Sequence, residues 1–120
     1  MRSIQGGKVL LAALILAGCT AYPVPTQQLA SSEAAIAVAF EAGAAELAPV
    51  DLESAQEKVK LARRWIAAND YQPARWLVEQ GQVDAELAAM KATSAKALRR
   101  ASLQAEDFQT LNRKTALNAR

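Results

Sequence analysis

Ala68-Asn69-Asp70-Tyr71-Gln72-Pro73-Ala74, residues 68–74, is the stretch whose reading decides the fold. Asparagine tolerates the left-handed backbone that ends a helix, and aspartate caps the start of the next one. A proline is accommodated in a first turn, where its missing N–H has no helical partner. The stretch predicts a tight break between two helices. Before it, Leu52, Ala55, Val59, Ala62 and Ile66 recur at steps of three and four, which draws one apolar stripe on a helix. Leu61 and Trp65 widen that stripe towards both neighbours. After it, Ala74, Val78, Gly81, Ala85, Ala88, Ala92 and Ala95 keep heptad spacing with small side chains, which permit close interhelical approach.

Further outward, Pro49 disfavours helical geometry at Ala48 and can itself open the middle helix, with Asp51 and Glu53 complementing the helix dipole. A first helix of about twenty residues is expected from an N-cap at Thr26 to near Ala48. Its face is drawn by Leu29, Ile36, Phe40, Gly43 and Leu47. The third helix meets no proline after Pro73 and runs to about Phe108, roughly 55 Å at 1.5 Å per residue. The first two reach only about 30 Å each. The expected fold is all-α: an antiparallel three-helix bundle with an extended third helix, preceded by a cleaved signal helix and a proline-containing tether. Residues 27–108 form the helical domain, and the basic tail 109–120 is expected to be disordered because it offers little to bury.

Composition agrees with this plan. Apolar residues make up 52% of the 120-residue chain, but aromatics only 5%, so much of the apolar content is alanine. Alanine favours helix and buries little area, so the core must be thin and close-packed. The net charge is +2, and without Arg2 and Lys8 it is zero. Yet residues 19–57 hold six acids and no base, whereas residues 58–120 hold twelve bases and six acids. Such halves suggest helices that pair by charge more than a nucleic-acid binder. If the breaks are treated as mirror points, Trp65 lies level with Trp76, Arg63 near Glu79, and Glu33 beside Arg64. Within single helices, Glu53/Glu57, Lys60/Arg64 and Lys96/Arg100 are like-charge pairs four apart, so these charges serve other helices or an outside partner.

The N-terminus carries an address. Met1 to Lys8 has two positive charges and no acid, Val9 to Ala17 is an unbroken apolar run, and Gly18 precedes Cys19. These are the regions of an export signal, residues 1–18. Nine apolar residues at about 1.5 Å each cover only about half of a hydrocarbon core, too little for a transmembrane helix. Leu16-Ala17-Gly18-Cys19 resembles the lipobox of bacterial lipoproteins. That resemblance implies cleavage between Gly18 and Cys19, a diacylglycerol on the Cys19 sulfur and an acylated new amine. Two or three chains anchor stably where one binds marginally. Position 20 is Thr and not the aspartate that resembles an inner-membrane retention signal, and in a diderm host that resemblance implies the inner, periplasm-facing leaflet of an outer membrane. Residues 19–26, with Pro23 and Pro25, form an extended tether of about 20 Å.

Beyond the lipobox, Ala42-Gly43-Ala44, Ala48-Pro49, the Ala55/Val59/Ala62 stripe, residues 70–74, Glu79-Gln80 and Asp84-Ala85-Glu86-Leu87-Ala88 form a pattern. It resembles the bacterial lipoprotein family called domain of unknown function 4398, over about Leu29 to Ala95. The resemblance implies a small alanine-rich envelope lipoprotein, found alongside OmpA-type peptidoglycan-binding domains, with no established catalytic residues. At Gly81 the chain departs from the pattern, which more usually has alanine, and a weaker helix is expected there. Residues 70–74 are also similar to the mid-hairpin of a tetratricopeptide repeat, but one unit does not make an array that needs about three.

Chemistry is sparse. There is no histidine, the residue most used in acid–base catalysis, and the one cysteine is committed to lipid. No Gly-x-Ser-x-Gly elbow or phosphate loop occurs, and the acids Glu53/Glu57 and Asp84/Glu86 read as a solvated face. No enzyme, metal site or cofactor is expected. Two regions read as functional. Arg64, Trp65, Arg75 and Trp76 combine residue types that stack on sugars or anions, against the plainer reading that the two indoles close a thin core. Leu98, Ala101, Ala105 and Phe108 form an apolar seam beyond the reach of the shorter helices, beside the basic Lys91, Lys96, Arg99 and Arg100. The seam is either a frayed extension or a contact with another chain. The expected role is a non-enzymatic envelope lipoprotein, an adaptor or structural component near outer membrane and peptidoglycan. It is held to the membrane through Cys19, with an OmpA-like or peptidoglycan-associated partner or a second copy of itself. The alternative is a ligand-binding module for envelope glycan or an anionic peptide.

Overall fold

The computed structural model describes residues 22–120, so the export signal, Gly18 and Cys19 lie outside the described residues. Among the described residues the protein is all-helical, in the order α1 (Thr26–Glu41), α2 (Ala44–Leu47), α3 (Pro49–Ala67) and α4 (Tyr71–Asn118). Residues 22–25 lead in without regular structure, and no described helix is long and apolar enough to cross a membrane.

The α3–α4 break forms as its residues dictate. Asn69 takes the left-handed conformation at φ 59°, and Pro49 occupies the first position of α3. Asp70 stands at the N-cap position of α4, although its side chain makes no capping hydrogen bond. At the start of α1 the cap is displaced by one residue. Pro25 occupies it without a side-chain bond, its carbonyl accepts the Leu29 N–H at 3.0 Å, and Thr26 is already helical.

The first helix does not run unbroken to Ala48. It closes when the Gly43 N–H bonds the Phe40 carbonyl at 2.9 Å, and Gly43 then turns left-handed at φ 87°. Only glycine enters that region freely. A Cβ on Gly43 would also lie 3.0 Å from the Lys96 amine. The turn brings Ala44 and Ala48 into a core cluster with Ala39, Leu52, Ala88 and Ala92, which a straight helix would miss.

The packing is organised on α4. Asp51 meets Lys91 and Lys58 meets Asp84, so α3 and α4 run in opposite directions. Glu33 pairs with Arg63 across α1 and α3, one residue away from the expected Arg64. Arg63 therefore faces α1, and Glu79 is paired instead with Arg75 four residues earlier. Glu46 of α2 reaches Arg99 of α4 at 3.7 Å. Acids of the first half thus meet bases of the second, as the charge segregation suggests. Apart from the part-buried Lys58–Asp84 pair, each of these pairs contributes well under about 1 kcal/mol, so they set register more than stability.

The core is built of small groups, and Val78 is its bulkiest fully buried side chain. Leu52, Ala55, Val59 and Ala62 face inward from α3, and Ala74, Val78, Gly81, Ala85, Ala88 and Ala92 from α4. On α1 the inward positions are Ser32 and Ala39, while Phe40, expected on the apolar face, is half exposed. Leu61 and Trp65 likewise stay at the rim. Three helices converge at Gly81, where a Cβ would lie 3.1 Å from Val59, 3.2 Å from the Ala55 carbonyl and 3.3 Å from Ser32 Oγ. The glycine expected to weaken the helix is what lets the helices close. Beyond Lys96 every residue of α4 is exposed, yet helix continues to Asn118 through the stretch expected to be disordered. At 48 residues, α4 is about 72 Å long.

Candidate functional site: the outer face of the long helix

A helix turns 100° per residue, so the face of α4 opposite the alanine core is drawn by a second set of positions. Trp76, Val83, Leu87 and Met90 occupy it in the packed half, and Ala97, Ala101, Phe108 and Leu111 continue it in the projecting half. Successive members are separated by three, four or seven residues, the spacing of a heptad seam. Trp76, Val83 and Met90 are 60–65% exposed and Phe108 66%, far more than any core residue. Single exposed apolar residues are ordinary, whereas several large ones on one helix face make that face the candidate surface.

Of the expected seam of Leu98, Ala101, Ala105 and Phe108, Ala101 and Phe108 lie on this surface and Leu98 and Ala105 flank it, all four solvent-exposed. The reading from sequence stopped short of Trp76, Val83, Leu87 and Met90. Their signal was present as the same three-four spacing, but it competes in the same helix with the alanine stripe. The larger residues alone would have revealed it.

The other candidate cluster is divided. Arg64 lines a shallow hollow on α3 with Glu57, Lys58, Lys60 and Leu61. Arg75 and Trp76 line another of about 620 Å³ on α4 with Gln72, Pro73 and Glu79. Trp65 borders neither. The two indoles do not close the core, whose end is filled by Ala62, Ala74, Leu77 and Val78 with Leu29 and Ile66 against them. What remains is Trp76, whose indole also walls a second hollow with Lys58, Gln80, Val83 and Asp84.

Asp84, which lines that hollow, joins two helices. Asp84 accepts hydrogen bonds from Ser54 at 2.7 Å and Lys58 at 2.5 Å. Partial burial pushes its pKa up, but those hydrogen bonds and the Lys58 charge outweigh it and hold the carboxyl below the usual range. Both donors converge on an ionised carboxylate, which staples α3 to α4. Among the described residues no three His, Cys, Asp or Glu side chains gather as a metal site.

No curated protein and no solved structure matches the chain. A family model does, over residues 27–105, from the first turn of α1 into the projecting part of α4. The chain belongs to the family described as Domain of unknown function (DUF4398).

Proposed function

We propose that this protein is a lipid-anchored component of a bacterial envelope, exported by residues 1–18 and held through acyl groups on Cys19. In this reading it is a non-enzymatic adaptor or structural element near outer membrane and peptidoglycan. The helical part is an antiparallel three-helix bundle, formed by α1 with α2, by α3 and by α4, and it presents the overlong α4 at a fixed reach from the lipid. The observation that carries the adaptor role is the outer face of α4, where Trp76, Val83, Leu87 and Met90 stand exposed in the packed half and Phe108 and Leu111 beyond it, on a helix that outlasts its packing. The n-region, apolar run and Leu16-Ala17-Gly18-Cys19 support the anchor.

Replacing Cys19 with Ser tests the anchor: the protein should move from the membrane fraction to the soluble periplasmic fraction, and unchanged membrane attachment overturns it. A photo-crosslinking residue at position 101 tests the adaptor. A reproducible protein adduct in intact cells supports it, and its absence at native expression argues against it.

A second reading, recognition of an envelope glycan or anionic peptide, is supported only in reduced form. Trp76 is 60% exposed beside Arg75, an arrangement suited to stacking on a sugar or anion. Arg64 and Trp65 are not part of that hollow.

A further inference from the structure

We infer that the outer face of α4 is covered by the same face of a second copy, with the two long helices packed antiparallel. This goes beyond the adaptor reading and does not depend on the lipid anchor. Four observations carry it. The first is length. Residues 97–118 are helical and exposed on all sides, although the stability of a helix in a protein comes mostly from packing an apolar face. The second is periodicity. Apolar residues recur at steps of three, four and seven from Trp76 to Leu111, with Gln80, Ser94 and Gln104 at the positions the longer steps pass over, which is the spacing of a left-handed coiled-coil seam.

The third is shape and area. The packed half of the seam is bulky (Trp76, Val83, Leu87, Met90), and the projecting half is small until Phe108. An antiparallel arrangement sets bulky against small, and each copy's uncovered segment lies on the other's bundle. Seam side chains at their present exposure would bury on the order of 700 Å² per copy, close to the standard size of a stable interface. The fourth is charge. Flanking the seam on one side are Glu79 and Glu86 in the packed half and Arg100 and Asp107 in the projecting half. With Met90 at the twofold axis, antiparallel packing brings Arg100 of each copy level with Glu79 of the other, twice by symmetry, and sets Asp107 level with the uncharged Pro73. Lys91 and Asp84, on the opposite flank, are already engaged with α3.

The test uses the full-length chain in a Cys19→Ser background, purified in mild detergent, with mass followed by sedimentation equilibrium. A dimer is expected across about 1–100 µM, a range in which a micromolar Kd is visible. Single cysteines then report direction. Met90→Cys, near the twofold axis, should form a disulfide-linked dimer. Phe108→Cys should not, since those positions lie about 50 Å apart in the antiparallel pair. Arg100→Glu should weaken association about tenfold, and adding Glu79→Arg should restore it to within about threefold. A monomer throughout this range overturns the inference and leaves the face to a lipid surface or a different protein. Equal crosslinking through positions 90 and 108 overturns the antiparallel arrangement.

Discussion

The two faces of α4 invert the usual relation between size and burial. Inward, the helix shows Ala74, Val78, Gly81, Ala85, Ala88 and Ala92, all buried; outward it shows tryptophan, valine, leucine and methionine, 38–65% exposed. Burying large apolar side chains yields more than burying alanines, roughly 25 cal/mol per Å² removed from water. A chain that only needed a stable core would place them the other way round. The inner face therefore trades bulk for closeness, and the proposed contact with a second copy is what would give the outer face its use. Close packing also explains why the inner face tolerates no growth: interiors are dense enough that one added methylene is felt.

That contrast can be broken most forcefully at Gly81. Gly81→Val should cost about 3 kcal/mol in urea unfolding, because the new atoms meet Val59, the Ala55 carbonyl and Ser32. Gly81→Ala is the sharper variant. Helix propensity alone predicts a gain of about 1 kcal/mol, but overlap at 3.1–3.3 Å, partly with immovable backbone, should turn this into a net loss of about 1 kcal/mol. A stabilised Gly81→Ala protein would show that the crossing has slack.

The next effect in size lies at the α3–α4 staple. Asp84→Asn should destabilise by about 1 kcal/mol at neutral pH, since it removes a charge-assisted hydrogen bond from Lys58. The sign with pH follows from the lowered Asp84 pKa. The carboxylate binds its proton more weakly folded than unfolded, so its stabilisation is fully present above the usual value of about 3.9 and is lost as pH falls through the lower folded value. Acid titration of stability should flatten in that window for the variant; an unchanged profile would remove Asp84 from the account.

The smallest effect should come from the outer face. Met90→Gln should change the stability of the dilute protein by less than about 0.5 kcal/mol, as expected for a surface position. The same change should reduce association at high concentration. A large loss of stability in dilute solution would mean that the face serves the monomer after all.

The inner stripes of α3 and α4, the break at Asn69 and the opening of α3 at Pro49 were legible because each rests on local geometry or on a long repeated spacing. Phe40 against Ala39 was not, because in an alanine-rich helix the apolar pattern is nearly uniform and its phase can move by one residue. Arg63 rather than Arg64 as the partner of Glu33 is the same one-residue uncertainty, now between helices. Gly43 was read as part of a face and turned out to be a break, since a glycine's φ is set by what its neighbours must reach. The helical 109–118 segment was missed because weak burial was taken to mean no order. On the outer face, Ala101 and Phe108 were legible as part of a seam, and the rest was masked by the competing alanine spacing.

The sequence by itself determined an all-helical chain, the α3–α4 turn and the charge segregation of its halves, because backbone preference, periodicity and ionic state are properties of local residues. Tertiary structure alone decided that Gly81 is a crossing point, that Phe40 turns out while Ser32 turns in, and that Trp65 and Trp76 line separate surfaces. Those outcomes depend on how closely three helices approach, and that distance is fixed only when their side chains meet.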